Sequence, residues 1–361
     1  MYVQPQKITL KDIAQASGYS LTTVHRAMNH KEGVSRSVQK EILDLARDMG
    51  YTTNYVAAAL KRRQVNIAIV MPTSDKSGKH YFQYIWNGCH ESVEEFSGYN
   101  INCIDRPFEI GMGMQEEVSK QLEILQDLYD NWIGQLDGLI FSPHVYSEKI
   151  ELVLNKFSTK GVPVVLIDND LKNSDRMCCV APNDVHIGRL AGEFLSMALA
   201  NRKGKILVLT GDTHSDAHRM NEQGFFECLT ENSTGLEVVP VPEHLQDKEK
   251  TLQELFMDPQ VIAAYSVRAR NTIPMCVAAQ ASGRLKDITL VGSDLFPQSA
   301  CMLKEGVLKA IIYKNPYEKG KIAYKILFDV IFKGTKLDSD LQYVPISIIL
   351  KTNLPYFERL I

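Results

Sequence analysis

Nine short apolar runs, separated by stretches with helical spacing, constrain this chain more than any other feature. Val65–Pro72, Tyr99–Asp105, Leu136–Pro143 and Val162–Asp168 form a first series; Gly204–Asp212, Glu237–Val241, Val261–Val267, Ile288–Asp294 and Lys309–Tyr313 form a second. Runs this short and this continuously apolar read as parallel strands buried on both faces, with helices between them. Two consecutive series predict a two-lobed α/β core of doubly wound parallel sheets, with ligands held at the carboxyl ends of the strands and a cleft between the lobes. The core is expected over residues 66–361: an N-lobe of about 66–170 plus 302–333, and a C-lobe of about 171–301 plus 334–361.

The 361-residue chain leaves room for a small module ahead of that core. Residues 1–65 carry ten Lys and Arg against five Asp and Glu, a surplus of five positive charges, whereas the whole chain has a net charge of −3. A basic head on an acidic body suits a module that binds a polyanion. Hydrophobic residues at 45% and charged residues at 23% are those of a globular protein. The N-terminus lacks the basic and apolar regions of an export signal, so a cytoplasmic location is expected. The cysteines Cys89, Cys103, Cys178, Cys179, Cys228, Cys276 and Cys301 show no metal-ligand spacing, and neither metal nor cofactor is expected.

Residues 1–52 read as a small all-α headpiece. Thr9 followed by Asp12 is a capping-box pattern opening a helix over Leu10–Ala16, and Gly18 permits a tight turn. Ser20 is a good N-cap for a second helix over about Leu21–Met28, with Val24, Ala27 and Met28 inward and Leu21, Thr22, His25 and Arg26 outward. A third helix starts at the cap Ser35, carries Val38, Ile42, Leu45, Ala46 and Met49 on one face, and ends at Gly50. Two short helices around a glycine turn form a helix-turn-helix, whose second helix offers its first residues to the major groove. Arg26 has the planar fork to donate two hydrogen bonds to a guanine, and Leu21 or Thr22 can touch base edges or a thymine methyl. Backbone N–H groups at Ser20 suit a phosphate. A three-helix bundle used for protein contacts is the competing reading.

Ile8–Asn29 (ITLKDIAQASGYSLTTVHRAMN), Val34–Ser35 and Met49–Tyr51 resemble the headpiece of the LacI/GalR regulators almost position by position. The resemblance implies that Leu21, Thr22 and Arg26 read bases; His25 stands where the family often has serine. The DNA-contacting set it implies is Thr9, Ser20, Leu21, Thr22, Thr23, His25, Arg26 and Asn29, joined by Tyr51, Asn54, Ala57 and Leu60. Residues 53–65 read as a hinge whose short alanine-rich helix is marginal alone. In the family, paired hinge helices of a dimer fold on the minor groove; Leu60 matches the wedging leucine, and Val56 and Ala57 the helix contact. An ordinary helical linker is the alternative. The implied partners are a pseudo-palindromic operator duplex, a small carbohydrate-like effector and a second copy of the chain, as a dimer or tetramer.

The core resembles the type I periplasmic sugar-binding fold in its strands, in P-N-D-x-x-x-G (Pro182–Gly188) and in N-P-Y-E-K-G (Asn315–Gly320). The resemblance assigns Asp168, Arg219 and Asp294 to the effector site; a guanidinium flanked by carboxylates suits a polyol, each charged group holding two hydroxyls. Location adds Thr73, Ser74 and Asp75 after the first strand, Tyr81, Phe82 and Trp86 in the next helix, and Ser215. Where the family commonly has A-x-N-D, this chain has V-R-A-R-N-T (Val267–Thr272), so Arg270 and Asn271 replace the usual amide and acid; a cationic Arg270 favouring an anionic ligand, a sugar phosphate or sugar acid, and a surface change are both open readings. An alternative is a sugar-binding protein without regulatory role. An enzyme is disfavoured, because no nucleophile elbow, phosphate loop, zinc motif or paired catalytic carboxylates is present.

Overall fold

In the computed structural model, the described residues are 8–28, 32–49, 63–75, 78–111, 113–200, 202–211, 215–232, 235–242 and 247–361. They belong to two units, Met1–Arg62 and Arg63–Ile361.

The first unit holds α1 (Leu10–Ser17), α2 (Leu21–Met28) and α3 (Arg36–Asp48). The capping box forms as the sequence predicts: Asp12 N–H donates to Thr9 Oγ1 at 3.4 Å, and Thr9 N–H donates to Asp12 Oδ2 at 2.7 Å. These bonds hold the exposed Asp12 carboxyl below its ordinary value. Gly18 ends α1 at φ 72°, with its N–H donating to Ala14 O at 3.1 Å, a conformation in which a Cβ is strained. Ser20 Oγ accepts from Thr23 N–H at 3.1 Å and starts α2. Ile13, Val24, Ala27, Ile42 and Ala46 close the core of this bundle. α3 ends at the cap Met49; Gly50 lies outside the described residues.

The second unit contains two six-stranded sheets. The first, ordered β11-β5-β4-β3-β1-β2, is built from β1 (Val65–Pro72), β2 (Ile101–Phe108), β3 (Leu136–Phe141), β4 (Val164–Ile167), β5 (Cys178–Ala181) and β11 (Leu341–Tyr343). All its pairings are parallel. β1 buries every one of its residues, which is why it is apolar without alternation. The second sheet, ordered β12-β10-β9-β8-β6-β7, comprises β6 (Lys205–Leu209), β7 (Glu237–Val241), β8 (Val261–Ser266), β9 (Thr289–Ser293), β10 (Leu308–Tyr313) and β12 (Ser347–Ile349), with only β12 antiparallel.

Helices α4 (Phe82–Glu95), α5 (Met114–Trp132), α6 (Glu148–Thr159) and α12 (Pro316–Lys333) cover the first sheet. The second carries α7 (Asp184–Ala198), α8 (Asp216–Glu231), α9 (Lys248–Met257), α10 (Ala269–Ala281) and α11 (Pro297–Lys304). One glycine-mediated helix pair braces each lobe. A Cβ on Gly320 of α12 would lie 2.2 Å from Ile85 O of α4, and one on Gly188 of α7 would lie 1.8 Å from Asn221 O of α8. Backbone contact this close fixes where the first turns of α12 and α7 meet the cleft.

The expected lobe boundaries need correction. The segment 302–333 was assigned whole to the N-lobe, but β10 pairs with β9 in the second sheet, and only α12 packs on the first. Likewise β5 and β11, assigned to the C-lobe, pair with β4 and with each other in the first sheet. β5, of four residues, and β11, of three, lie outside the nine apolar runs of the sequence. The chain therefore crosses between lobes three times: from β5 into α7, from β10 into α12 and from β11 into β12.

Candidate functional site

On α2, Val24 and Ala27 are buried, while Leu21, Thr22, His25 and Arg26 are exposed along one side, as the periodicity predicts. Leu21 is 45% exposed, a poor place for a leucine unless something covers it. The cap hydroxyls are partly committed: Ser20 Oγ and Thr23 Oγ1 lie 2.8 Å apart, and Thr9 Oγ1 donates to Asp12 Oδ2 at 2.7 Å. Arg26 runs past Gly33, where a Cβ would sit 3.2 Å from its Nη1. The glycine, at φ 96°, leaves that guanidinium room. Asn29, Tyr51, Asn54, Ala57 and Leu60 lie outside the described residues.

Within the second unit a solvent-open cleft lies between the two sheets. The first lobe lines it with His80, Tyr81, Phe82, Ile110, His144, Val145, Asp168 and Asn169. The second supplies Asp184, Ser215, Ala217, His218, Asn221, Arg268, Ala269, Arg270, Asp294 and Lys314. Phe82, Asp168, Ser215, Arg270 and Asp294 are thus brought together, and Tyr81 joins them.

The two aspartates occupy equivalent places. Asp168 follows β4 at φ 69°, and Asp294 follows β9 at φ 61°. The left-handed conformation costs a non-glycine residue on the order of 1 kcal/mol, least for Asp and Asn. It turns each strand end so that a carboxyl faces the cleft. Each carboxyl also meets a lysine from a crossing segment. Asp168 Oδ1 accepts from Lys319 Nζ at 2.5 Å and from Tyr81 Oη at 2.8 Å, and Lys319 is fully buried. Asp294 Oδ1 accepts from Lys314 N–H at 3.2 Å, and Oδ2 accepts from Ser293 Oγ at 3.3 Å with Lys314 Nζ at 3.6 Å. Burial and the adjacent Asp168 carboxylate hold the Tyr81 phenol well above its ordinary value, so it remains a hydrogen-bond donor.

Asp184, the first residue of α7, is half-buried beneath the same cleft. Desolvation raises its carboxyl to about 7, against the opposing pull of Lys319 and Lys314. Burial together with the neighbouring Lys79 lowers the His80 imidazole below its ordinary value. His80 stacks on Phe296 at 4.2 Å, and Tyr84 of the first lobe packs with Ala269 and Phe296 of the second. The lobes therefore touch beside the cleft as well as through their crossings.

Three expected effector residues stand outside the cleft lining. Ser74 and Asp75 are exposed after β1 and do not line the cleft, because the chain turns outward and His80, Tyr81 and Phe82 take the inward place. Arg219 is exposed on α8, paired with Asp216; the helix face towards the cleft carries Ala217, His218 and Asn221, and Arg219 is rotated away from it. Thr73 also stands outside the lining, and Trp86 is buried with Nε1 donating to Pro72 O at 2.9 Å. Sequence reasoning missed Asp184, Lys314 and Lys319. Lys319 had a signal: it stands on the apolar face of α12 with Pro316, Gly320 and Ala323, where a lysine needs a buried partner.

Residues 9–54 match the model for bacterial regulatory proteins of the lacI family, and residues 67–336 match that for the periplasmic binding protein domain. The chain belongs to the lacI family of bacterial regulatory proteins. Among relatives, this lacI-family chain is 24% identical over 341 residues to the ribose operon repressor of Bacillus subtilis (strain 168), covering 92% of this chain and 95% of that one. It is 24% identical over 295 residues to the transcriptional regulator DegA of the same organism, covering 80% and 82%. Its fold matches the glucose-galactose binding protein GanP from Geobacillus stearothermophilus with a TM-score of 0.67 at 21% identity, covering 81% of this chain and all of that one. The lacI-family chain is a DNA-binding transcriptional regulator with an effector-binding core. Among the described residues no helix is long and apolar enough to cross a membrane.

Proposed function

We propose that this regulator is a repressor whose operator affinity is set by a small carbohydrate-like effector bound at Phe82, Asp168, Ser215, Arg270 and Asp294. The observation that carries the reading is the pair of strand-end aspartates, both left-handed and both facing one cleft from opposite lobes. An effector that spans both lobes binds one lobe arrangement more tightly than another, and that difference in affinity is the whole of its regulatory leverage. The relatives' names, a ribose operon repressor among them, support both the repressor role and the sugar. In a homodimer the lobe arrangement changes how two headpieces engage a pseudo-palindromic site, with Leu21, Thr22 and Arg26 reading bases and Leu60 entering the minor groove. The reading is of binding: Asp168 and Asp294 are engaged by lysines, and the relatives include transcriptional regulators and ribose import binding proteins.

The test is Asp294→Ala, assayed with an operator duplex obtained by selection and a panel of neutral sugars, sugar acids and sugar phosphates. The variant is expected to bind the duplex as wild type does and to lose its response to whichever compound moves wild type. A retained response removes Asp294 from the effector site.

A further inference from the structure

Lys61, Arg62 and Arg63 form a basic run at the end of the stretch that the sequence marks as a hinge. A cation in a DNA-binding tether ordinarily serves solvent or a phosphate. Arg63 instead turns its fork to the core. It is the first residue of the second unit, and its guanidinium closes a two-point pair with Asp137 of β3: Nη2 donates to Oδ1 at 2.8 Å and Nη1 to Oδ2 at 3.0 Å. Nη1 also donates to Gln135 O at 3.2 Å, in the turn before the same strand. Both terminal nitrogens are thus spent on the core, although the side chain as a whole is 60% exposed.

Asp137 owes its place to a break in the sheet register. Asn66 faces Leu136 and Ile67 faces Gly138 across β1 and β3, which leaves Asp137 as an extra residue with no partner on β1. A bulge of this kind re-aims the side chain that it carries. The Asp137 carboxyl, 19% exposed, accepts from Asn66 N–H at 2.9 Å as well as from Arg63. Asn66 is itself buried and held on both sides: Nδ2 donates to Gln135 O at 3.0 Å, and Oδ1 accepts from Asn102 Nδ2 of β2 at 2.9 Å. A Cβ on Gly138 would lie 3.0 Å from Leu327 Cδ1, so β3 packs directly against α12 at this end. The pair therefore ties the chain's entry into the core to a polar plate across the starts of β1, β2 and β3. An exposed ion pair by itself contributes little; two-point geometry on a mostly buried carboxylate that is held from another side is the case in which it counts.

We infer that Arg63 is a positioning residue for operator binding: clamped to Asp137, it fixes where and in which direction the chain leaves the core towards the headpiece. A tether held at its core end has fewer conformations to lose when the headpiece docks on one site, so the clamp favours the specific complex. Binding to any duplex depends on the count of cations facing phosphates and gains nothing from the clamp. This rests on the operator reading above and adds to it a residue that acts without touching DNA.

The full chain is tested as wild type, Arg63→Ala, Asp137→Asn and the double variant, against the duplex that wild type enriches from a random pool and a shuffled duplex of the same composition. Each single variant is expected to bind the enriched duplex about fivefold more weakly, and the double variant no more weakly than either. Affinity for the shuffled duplex and the slope of affinity against salt are expected to stay as in wild type. Asp137→Asn separates the two roles by sign. It removes a negative charge, so electrostatics alone would tighten binding to both duplexes, whereas loss of the clamp weakens binding to one. Its amide oxygen still accepts from Asn66 N–H. Should Asp137→Asn fail to fold, the exposed Arg63→Ala decides alone. Arg63→Ala weakening both duplexes alike, with a salt slope smaller by about one, makes Arg63 a phosphate contact and overturns the inference. Asp137→Asn binding the enriched duplex as well as wild type, or additive losses in the double variant, overturns it too. Enrichment of no duplex by wild type overturns the operator reading itself.

Discussion

Lys319 is a cation with no exposure, and its fate on neutralisation measures how the cleft is held together. Lys319→Met keeps most of the side-chain volume and removes the ammonium, leaving Asp168 with Tyr81 as its donor. Breaking a buried pair by removing one partner costs about 3–5 kcal/mol. The Asp168 side chain is 14% exposed and retains the Tyr81 bond, which places the loss at about 2–3 kcal/mol. For a unit of this size that corresponds to roughly 3–5 °C in the melting of the core, read by scanning calorimetry. Lys319→Met combined with Asp168→Asn removes both charges while keeping the shape, and is expected to melt within about 1 kcal/mol of wild type. A double variant as unstable as the sum of the two singles would refute the idea that these groups stabilise each other.

Three further outcomes follow from the same geometry. Asp184 is raised from 3.8 to about 7, so the folded chain keeps a proton that the unfolded chain has released, and stability falls as pH rises from about 4 to about 7. Asp184→Asn is expected to stabilise the core by about 1–3 kcal/mol at pH 8 and by little at pH 4 in urea titrations; equal effects at both pH values contradict it. Gly320→Ala puts a Cβ 2.2 Å from Ile85 O, backbone against backbone, and is expected to cost about 3 kcal/mol or more, whereas a melting shift under about 2 °C would show that α4 and α12 are not in contact. Arg26→Ala is expected to relax preference at one operator position by about 1–3 kcal/mol, seen as a loss of discrimination in competition binding; unaltered discrimination takes Arg26 out of the reading set.

Much of this architecture was legible in the residues because it depends on local rules. The capping box at Thr9 and Asp12, the glycine stop at Gly18 and the inward set of α2 all follow from spacing and side-chain chemistry, and all appear as expected. β7 spans Glu237–Val241, the run read from the chain, because five residues between turns suffice to define a strand. What escaped was non-local. β11 and β12 gain their identity from partners far along the chain, and β5 stands between its neighbour β4 and the distant β11, so the lobe crossings and the true lobe boundaries were misplaced. Arg219, which the resemblance places at the effector, stands one helical position, about 100°, from the cleft-lining His218 of α8. Asp184 and Lys319 lie inside the two quoted core motifs and Lys314 just before the second, yet their role comes from one another, which only the folded chain brings near.

The central claim is that α2 reads a duplex on behalf of the cleft. Selection from a random duplex pool by the full chain at low ionic strength, repeated with Leu21, Thr22 and Arg26 changed to alanine together, tests it most directly. Wild type is expected to enrich a site with two related half-sites, and the triple variant to lose that enrichment while retaining weak, salt-sensitive affinity for any duplex. Enrichment of no sequence by wild type, or of the same sequence by both proteins, would contradict the account.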